Sequence, residues 1–547
     1  MDSVESLKIN VGAEAEKPAD AQDPEQAQLT WADVLETVLA HLRKFSAASV
    51  VDAVIEVLRN APANRQDALG QFPWLLMLIA KWALQDKAPL RVGPKLPSAH
   101  LDELRNLLWK GGGQAHLERK ARTSEINAML MMRQILHCQM PFQQEDVWGL
   151  FRSSGLIDRL PKGHVCRRQY FEVMGMEPME FVMLGIVIVV AAKSSGPGSL
   201  DLSMLKLLEP THGKQVKAFL DLLAPSLPDL RNHVRKLPPA KGTRSRELYE
   251  FPVFKRYPLL RKRDGSLGMW HMAVVDRCVD EIVHLRLAQF GERYTQPFSR
   301  VFEDYVVELA RATGVAALRE DEYWERYDKK AKAVDVILSE GRNRVLIEAK
   351  MGLFHEDVLL QETEKGVRDQ TPHLLRALSQ GYAVSHQLAS EAVEGIAAGG
   401  CTHYLIVVTS RDLLIGTGLM LAEICGPGSV NPDAGLDQQR LPMNQVFVMP
   451  ILEYERLMES VATGVVDLFE VLRDAAAACQ TLAGSRYQFH DYYRAKLSKL
   501  PMPKLISSVR AEAIERMAKA AGVPVPEPLD RGATESDGLS SGLRKRG

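Results

Sequence analysis

The sequence is poor in the features that identify several common classes of protein. Six cysteines in 547 residues, with no CxxC among them, are too few and too scattered for a disulfide scaffold, so we expect buried thiols in a reducing cytosol. The 68 basic and 69 acidic residues leave a net charge of −1, which excludes a uniformly basic nucleic-acid coat. The length predicts three or four domains, or two large domains with tails.

Long apolar runs and nucleotide-binding motifs are also missing. The strongest apolar run covers only residues 181–192, which is too short to span a bilayer and predicts a buried helix or strand. The first 28 residues lack the apolar centre of a signal peptide. No GxxxxGK[ST] occurs, so the chain carries no P-loop motor. We therefore expect a soluble, cytoplasmic protein without a membrane partner.

Periodicity and composition divide the chain into segments. Apolar residues such as Val34, Val38 and Leu42 recur at helical spacing and predict an all-α domain over 29–237. Further on, apolar runs at 333–339, 344–350, 403–409 and 445–450 read as strands, with a helix over about 371–397, and predict an α/β domain over 290–475 with a mixed central sheet. We expect C-terminal helices over 476–522 and disordered tails at 1–28 and 523–547.

A basic segment, with a connecting helix after it, joins the two predicted domains over 238–289. Residues 231–264 hold eleven positive and three negative charges, with four aromatic residues interleaved. One interpretation is a solvated linker with a hairpin. The other is a stripe that contacts nucleic-acid phosphates and gains affinity by releasing counterions. Its candidate contacts are Arg256, Arg261, Lys262 and Arg263.

The stretch 333–350 carries the chemistry. Two apolar runs flank a polar turn with Gly341, which predicts a β-hairpin. If the turn centres on Gly341 and Arg342, Asp335 lies opposite Glu348, with the two side chains about 5 Å apart on one face. Lys350 shares that face, because it is two residues beyond Glu348 in the same strand.

Two carboxylates this close need a partner. At an effective dielectric constant near 20 they repel by about 3 kcal/mol. A Mg²⁺ or Mn²⁺ ion would remove the conflict, since hard cations take carboxylate oxygens. A metal, an activated water and the Lys350 ammonium together suit attack on a phosphodiester. In the helix predicted upstream, Glu303 borders the apolar face and supplies a third acid near the site.

These residues resemble a known family. Asp335, the Glu348-x-Lys350 pattern at the end of an apolar strand, and Phe302-Glu303 in the preceding helix are similar to the PD-(D/E)XK nuclease superfamily, with its restriction-endonuclease-like fold. The resemblance covers about residues 290–455. It implies an α-β-β-β-α-β core, metal ligation by Asp335 and Glu348, and a catalytic role for Lys350 and Glu303. The residue before Asp335 is Val334 rather than proline, which departs from the family's pattern.

Two weaker similarities accompany that pattern. Pro258-Leu259-Leu260-Arg261 is similar to a Pro-apolar-apolar-Arg signature that lies upstream in some larger members. Members often carry a glutamine in the helix after the lysine strand, and Gln387 is the candidate for this accessory position.

The expected function is a Mg²⁺-dependent nuclease that hydrolyses DNA or RNA, with DNA the favoured of the two substrates, in prokaryotic defence or repair. Because the chain has no motor, we expect a separate ATPase or helicase subunit as a partner. The alternative is a non-catalytic interaction protein, with a helical partner-binding domain and an inactive nuclease-like domain that binds nucleic acid.

Overall fold

Helices make up most of the chain, and one mixed sheet lies among them. The computed structural model describes residues 30–60, 68–117, 122–143, 147–194, 200–237, 244–327, 331–352, 356–389, 400–426, 428–430, 440–497 and 502–524. Both predicted tails lie outside these ranges, apart from residues 523 and 524.

The N-terminal part is helical, as its periodicity predicts. Its helices are α1 (Trp31–Leu42), α2 (Ala47–Arg59), α3 (Pro73–Gln85), α4 (Ser98–Leu117), α5 (Ser124–Gln139), α6 (Trp148–Asp158), α7 (Val165–Met174), α8 (Pro178–Ser194), α9 (Ser203–Leu223) and α10 (Leu227–Lys236). Helix α8 contains the apolar run 181–192, and nearly all of its side chains are buried. Within the described residues, no single helix has the length and apolarity to cross a membrane, although α7 and α8, bent by 45°, pass such a test as a pair.

The basic segment packs against this helical part. It forms two short 3-10 helices, Arg244–Tyr249 and Val253–Arg256, and a hairpin of β1 (Leu259–Arg261) and β2 (Leu267–Met269). Phe254 stacks on Trp270 with ring centroids 3.8 Å apart, and both side chains are buried in one apolar cluster with α1 to α4. The expected hairpin is present, but the described part is not a solvated linker, because Phe251 and Phe254 are buried in the core while Tyr249 and Tyr257 pack against it.

The sheet has six strands in the order β3-β4-β5-β6-β8-β7. They are β3 (Ala316–Arg319), β4 (Val336–Glu340), β5 (Asn343–Lys350), β6 (Thr402–Thr409), β7 (Gly416–Thr417) and β8 (Val446–Pro450). The β3–β4 and β4–β5 pairs are antiparallel, whereas β5–β6 and β6–β8 are parallel, so the sheet is mixed as predicted.

Further helices precede, connect and follow these strands. They are α11 (Met272–Leu287), α12 (Glu292–Ala312), α13 (Glu320–Arg326), α14 (Glu364–Gln370), α15 (Pro372–Ala389), α16 (Gly418–Cys425), α17 (Ile451–Ala462), α18 (Leu468–Ala478) and α19 (Lys504–Ala521). Through the β3–β4–β5 region the elements follow the order α12, β3, β4, β5, α15, β6, with the short helices α13 and α14 in the connections.

Both faces of the sheet are covered. Val345, Ile347 and Ala349 point into a cluster that also contains core residues of α6 to α9 and α12, whereas Leu346 and Leu405 face α15, α16 and part of α5. The apolar core therefore does not divide at residue 237, where we placed the end of the helical domain. All six cysteines are free, and five of them are buried.

Candidate active site

The hairpin register brings Asp335 and Glu348 together. Val336 pairs with Ile347 and Glu340 pairs with Asn343, so the turn is Gly341-Arg342, and Gly341 adopts a φ of +53°. The same register places Asp335, the residue just before β4, opposite Glu348. The Ala349 N–H donates to Asp335 Oδ2 at 2.5 Å, which fixes that carboxylate beside β5. The predicted register is confirmed.

Strand β3 brings a third acid, Glu320, beside the pair of Asp335 and Glu348, and the sequence analysis did not predict it. Arg319 pairs with Val336, and the Glu320 N–H donates to the Asp335 carbonyl at 3.2 Å. Glu320 after β3, Asp335 before β4 and Glu348 in β5 therefore lie side by side across the sheet, and we call these three residues the row of acids. We did not predict β3 because it is a short edge strand with alanine at half of its positions, and alanine is depleted in strands. Without that strand, the sequence contained no signal that would distinguish Glu320 from the acids that follow it.

Glu303 enters the site from α12. Burial raises its pKa, and the nearby Lys350 ammonium counteracts part of that rise. Its neighbours in the sequence differ from it: Asp304 and Glu308 are exposed and pair with Arg319 and Arg159, respectively. The structure thus separates Glu303 from the solvated acids of the same helix, as expected from its position beside the apolar face.

The three acids of the row and Glu303 are crowded around one cation, the Lys350 ammonium. Burial, and then the charge of Glu348, raise the pKa of Asp335. Burial also raises the pKa of Glu348 and of Glu320. The Lys350 ammonium lowers the pKa of all four acids, including Glu303. Lys350 is therefore the shared counter-charge of the site.

A glutamine in α15 holds Lys350 in place, but it is not the predicted one. Lys350 Nζ donates to Glu348 Oε1 and, at 3.1 Å, to Gln380 Oε1. The Gln380 amide in turn donates to the Ala333 carbonyl at 3.1 Å. Gln387 is exposed two turns further along the helix. Next to Gln380, a Cβ at position 381 would lie within 3 Å of the Leu405 side chain, so Gly381 lets α15 pack closely on the sheet there.

The site has a ready acceptor for a cation. Glu348 is 3% exposed, and its Oε2 atom is buried without a hydrogen-bond partner. An unpartnered carboxylate oxygen in the interior is costly unless a cation or a proton meets it. Among the described residues, no three His, Cys, Asp or Glu side chains are arranged to hold a metal ion. Asp335 and Glu348 nevertheless fit Mg²⁺, which is often held by one or two carboxylates and keeps several waters.

The chain has no match among family models, curated proteins or solved structures. Its functional assignment therefore depends on the geometry of these residues.

The candidate nucleic-acid contacts are separate from this row of acids. Arg256, Arg261, Lys262 and Arg263 are all exposed, and Arg261 pairs with Asp221 at 2.9 Å. The segment Pro258-Leu259-Leu260-Arg261 contains strand β1 of the hairpin.

Two other cations of the basic segment are buried and structural. Arg231 donates to the carbonyls of Asp86 and Ala88, and Lys255 pairs with Glu281 and Glu356. The segment is thus only partly available to phosphates.

Proposed function

We propose that the protein is a metal-dependent nuclease of the PD-(D/E)XK type. The observation that carries the proposal is the placement of Asp335 opposite Glu348, with Lys350 on the same strand and one Glu348 oxygen unpartnered. The order α12-β3-β4-β5-α15-β6 supports it, since it is the α-β-β-β-α-β order that the resemblance implies. A restriction-endonuclease-like fold for this region is part of the proposal.

The chemistry follows from the roles that these residues can take. Asp335 and Glu348 would hold Mg²⁺ or Mn²⁺, and the bound ion would polarise a phosphoryl oxygen and lower the pKa of a water. Lys350, fixed between Glu348 and Gln380, offers an ammonium group to the charge that develops on the phosphate. Glu303 and Glu320 would add negative charge near a bound ion and so favour its binding.

The substrate we propose is DNA rather than RNA, with the exposed Arg256, Lys262 and Arg263 contributing to phosphate binding. A separate ATPase or helicase subunit would deliver the strand. Defence or repair in a prokaryote is the setting that the fold analogy suggests.

Cleavage assays test the proposal directly. The full chain is incubated with plasmid, single-stranded DNA and RNA in Mg²⁺, Mn²⁺ or EDTA, beside Asp335→Ala and Lys350→Ala. We expect metal-dependent cutting that both substitutions abolish. Asp304→Ala is the matched control, because Asp304 is exposed beside Glu303, and it should leave cutting intact. If the wild type cuts none of the three substrates with either ion, even with its partner subunit present, the nuclease proposal fails.

One observation favours a second function. Lys350 already pairs with Glu348, which neutralises a proposed metal ligand without any ion. A non-catalytic protein that binds nucleic acid through its α/β region and a partner through its helices would need no more than this pair. Calorimetry separates the two functions: this alternative requires nucleic-acid binding without Mg²⁺ binding, whereas the nuclease requires both.

A further inference from the structure

Two neighbouring cavities lie near the carboxyl ends of β6 and β8. The first has a volume of about 140 Å³ and the second about 290 Å³. Arg411, which follows β6, and His284 of α11 line both. Leu452, just after β8, lines the first cavity only. In open α/β sheets, ligands commonly bind beyond the carboxyl ends of parallel strands.

The first cavity suits a planar, uncharged ring with polar edges. Phe298 and Phe302 supply aromatic surface, and three arginines and four acids also line the cavity, so neither charge dominates. Two buried wall atoms, His137 Nε2 and Arg277 Nε, have no hydrogen-bond partner among the described residues. The volume is close to the roughly 150 Å³ of a cavity that admits benzene. A nucleobase meets these demands, because it stacks on aromatic rings and offers donors and acceptors at its edge.

The second cavity is the more cationic of the two. Four basic side chains line it against three acidic ones, the basic ones being Lys81, Lys255, Arg256 and Arg411. Lys81, Lys255 and Arg411 pair with buried glutamates, whereas Arg256 is exposed to solvent. An arginine at the rim of a cavity can bind a phosphate through two parallel hydrogen bonds.

We infer that the two cavities form one nucleotide-binding site, with the base in the first cavity and the phosphate at Arg256 in the second. The shared walls, Arg411 and His284, place the two halves side by side, as a base and its phosphate require. A free nucleoside monophosphate and the terminal nucleotide of a strand carry the same chemistry. The inference does not rest on the proposed nuclease activity, and Asp335→Ala should leave this binding unchanged.

Calorimetry with the full chain in EDTA tests the site. The ligands are UMP, AMP, the matching nucleosides, inorganic phosphate, and a hexanucleotide with a 5′-phosphate or a 5′-hydroxyl. Arg256→Ala should weaken binding of the phosphorylated ligands about tenfold and leave nucleoside binding unchanged. Arg168→Ala is the matched control: Arg168 is an exposed arginine of α7 that lines neither cavity, so affinity should not change. Leu452→Phe, which fills the first cavity, should abolish nucleoside binding.

The outcomes are distinguishable. Binding of UMP or AMP that depends on Arg256 identifies a free nucleotide as the ligand. Binding of the phosphorylated hexanucleotide alone, with the same dependence, identifies a strand end. If no ligand binds at millimolar concentration, or if Arg256→Ala and Leu452→Phe both leave affinity unchanged, the inference is wrong and the cavities hold only water. Arg256 is exposed, so its variant tests the site without disturbing the core.

Discussion

Replacing Asp335 with asparagine should stabilise the protein in the absence of metal. Asparagine keeps the shape of the side chain, and its oxygen can still accept the Ala349 N–H. The substitution removes one of two directly opposed carboxylates about 5 Å apart, whose repulsion is about 3 kcal/mol at an effective dielectric constant near 20. Lys350 offsets part of this through its contact with Glu348, so we expect a net gain of about 1–2 kcal/mol.

The stability gained by Asp335→Asn should increase as the pH rises. Burial and the charge of Glu348 raise the pKa of Asp335 above the ordinary 3.8. The protonated carboxyl is therefore favoured in the folded state. Its contribution to stability is complete below the unfolded-state pKa and is lost as pH rises through the folded-state pKa. The difference between Asp335→Asn and the wild type should be small near pH 4 and largest in mildly alkaline buffer.

Mg²⁺ should reverse which of the two proteins, the wild type or Asp335→Asn, has the larger free energy of unfolding. A ligand at a hundred times its Kd adds about 2.7 kcal/mol to the free energy of unfolding of the protein that binds it. Saturating Mg²⁺ should therefore stabilise the wild type by more than the substitution stabilises the metal-free protein. The free energy of unfolding of Asp335→Asn should not change with Mg²⁺.

Urea unfolding at pH 5 and pH 8, with and without Mg²⁺, measures these differences. Asp304→Asn on the exposed side of α12 serves as the control and should match the wild type in every condition. The reasoning is refuted if Asp335→Asn destabilises the metal-free protein at pH 8, or if its effect does not grow with pH. Either result would mean that the opposed carboxylates do not repel each other in the folded state.

Three further predictions concern the surroundings of the site. Gln380→Ala should lower the cleavage rate about tenfold and shift its pH profile, because Lys350 loses a fixed partner, whereas the exposed Gln387→Ala should change neither. Arg152→Ala should reduce the free energy of unfolding, measured by urea titration, by about 3–5 kcal/mol, because it leaves the buried Glu455 carboxylate without its cation. Arg159→Ala breaks an exposed pair with Glu308 and should reduce it by at most about 1 kcal/mol. Replacing Arg261, Lys262 and Arg263 together with alanine should flatten the plot of log affinity against log salt for DNA by a slope of about two, since Lys262 and Arg263 are the proposed phosphate contacts and Arg261 pairs with Asp221. An unchanged slope would exclude the hairpin from the interface.

The sequence predicts the local geometry of the site well, because a short hairpin leaves few choices. A polar turn at Gly341 between two apolar runs determines which residues pair, and that register aligns Asp335 with Glu348. The strand β6 and the face of α12 that carries Glu303 are equally local patterns. Strand β6 follows from a nearly uninterrupted apolar run and the face of α12 from a 3.6-residue period, and neighbouring residues reveal both without knowledge of the tertiary fold.

What the sequence does not predict depends on long-range packing. Glu320 joins the row only because the edge strand β3 pairs with β4, and Gln380 contacts Lys350 only because α15 packs against β5. The basic segment has the composition of a linker, yet Phe254 and Trp270 stack within the core of the helical part. Charge counts cannot reveal this, since the aromatic residues rather than the cations determine how the segment packs.

The functional proposal depends on the register in which β3, β4 and β5 pair, because that register aligns the row of acids. Glu320 follows β3, Asp335 precedes β4 and Glu348 lies in β5, so the β3–β4 and β4–β5 pairings must both hold for the three acids to align. Inserting one residue into the Gly341-Arg342 turn would shift β5 by one position and turn Glu348 and Lys350 toward the opposite face. Packing alone does not require acids at three aligned positions of a sheet that is apolar on both faces. The proposed cation site therefore depends on one pair of this row, Asp335 and Glu348, and on the Glu348 oxygen that is buried without a hydrogen-bond partner.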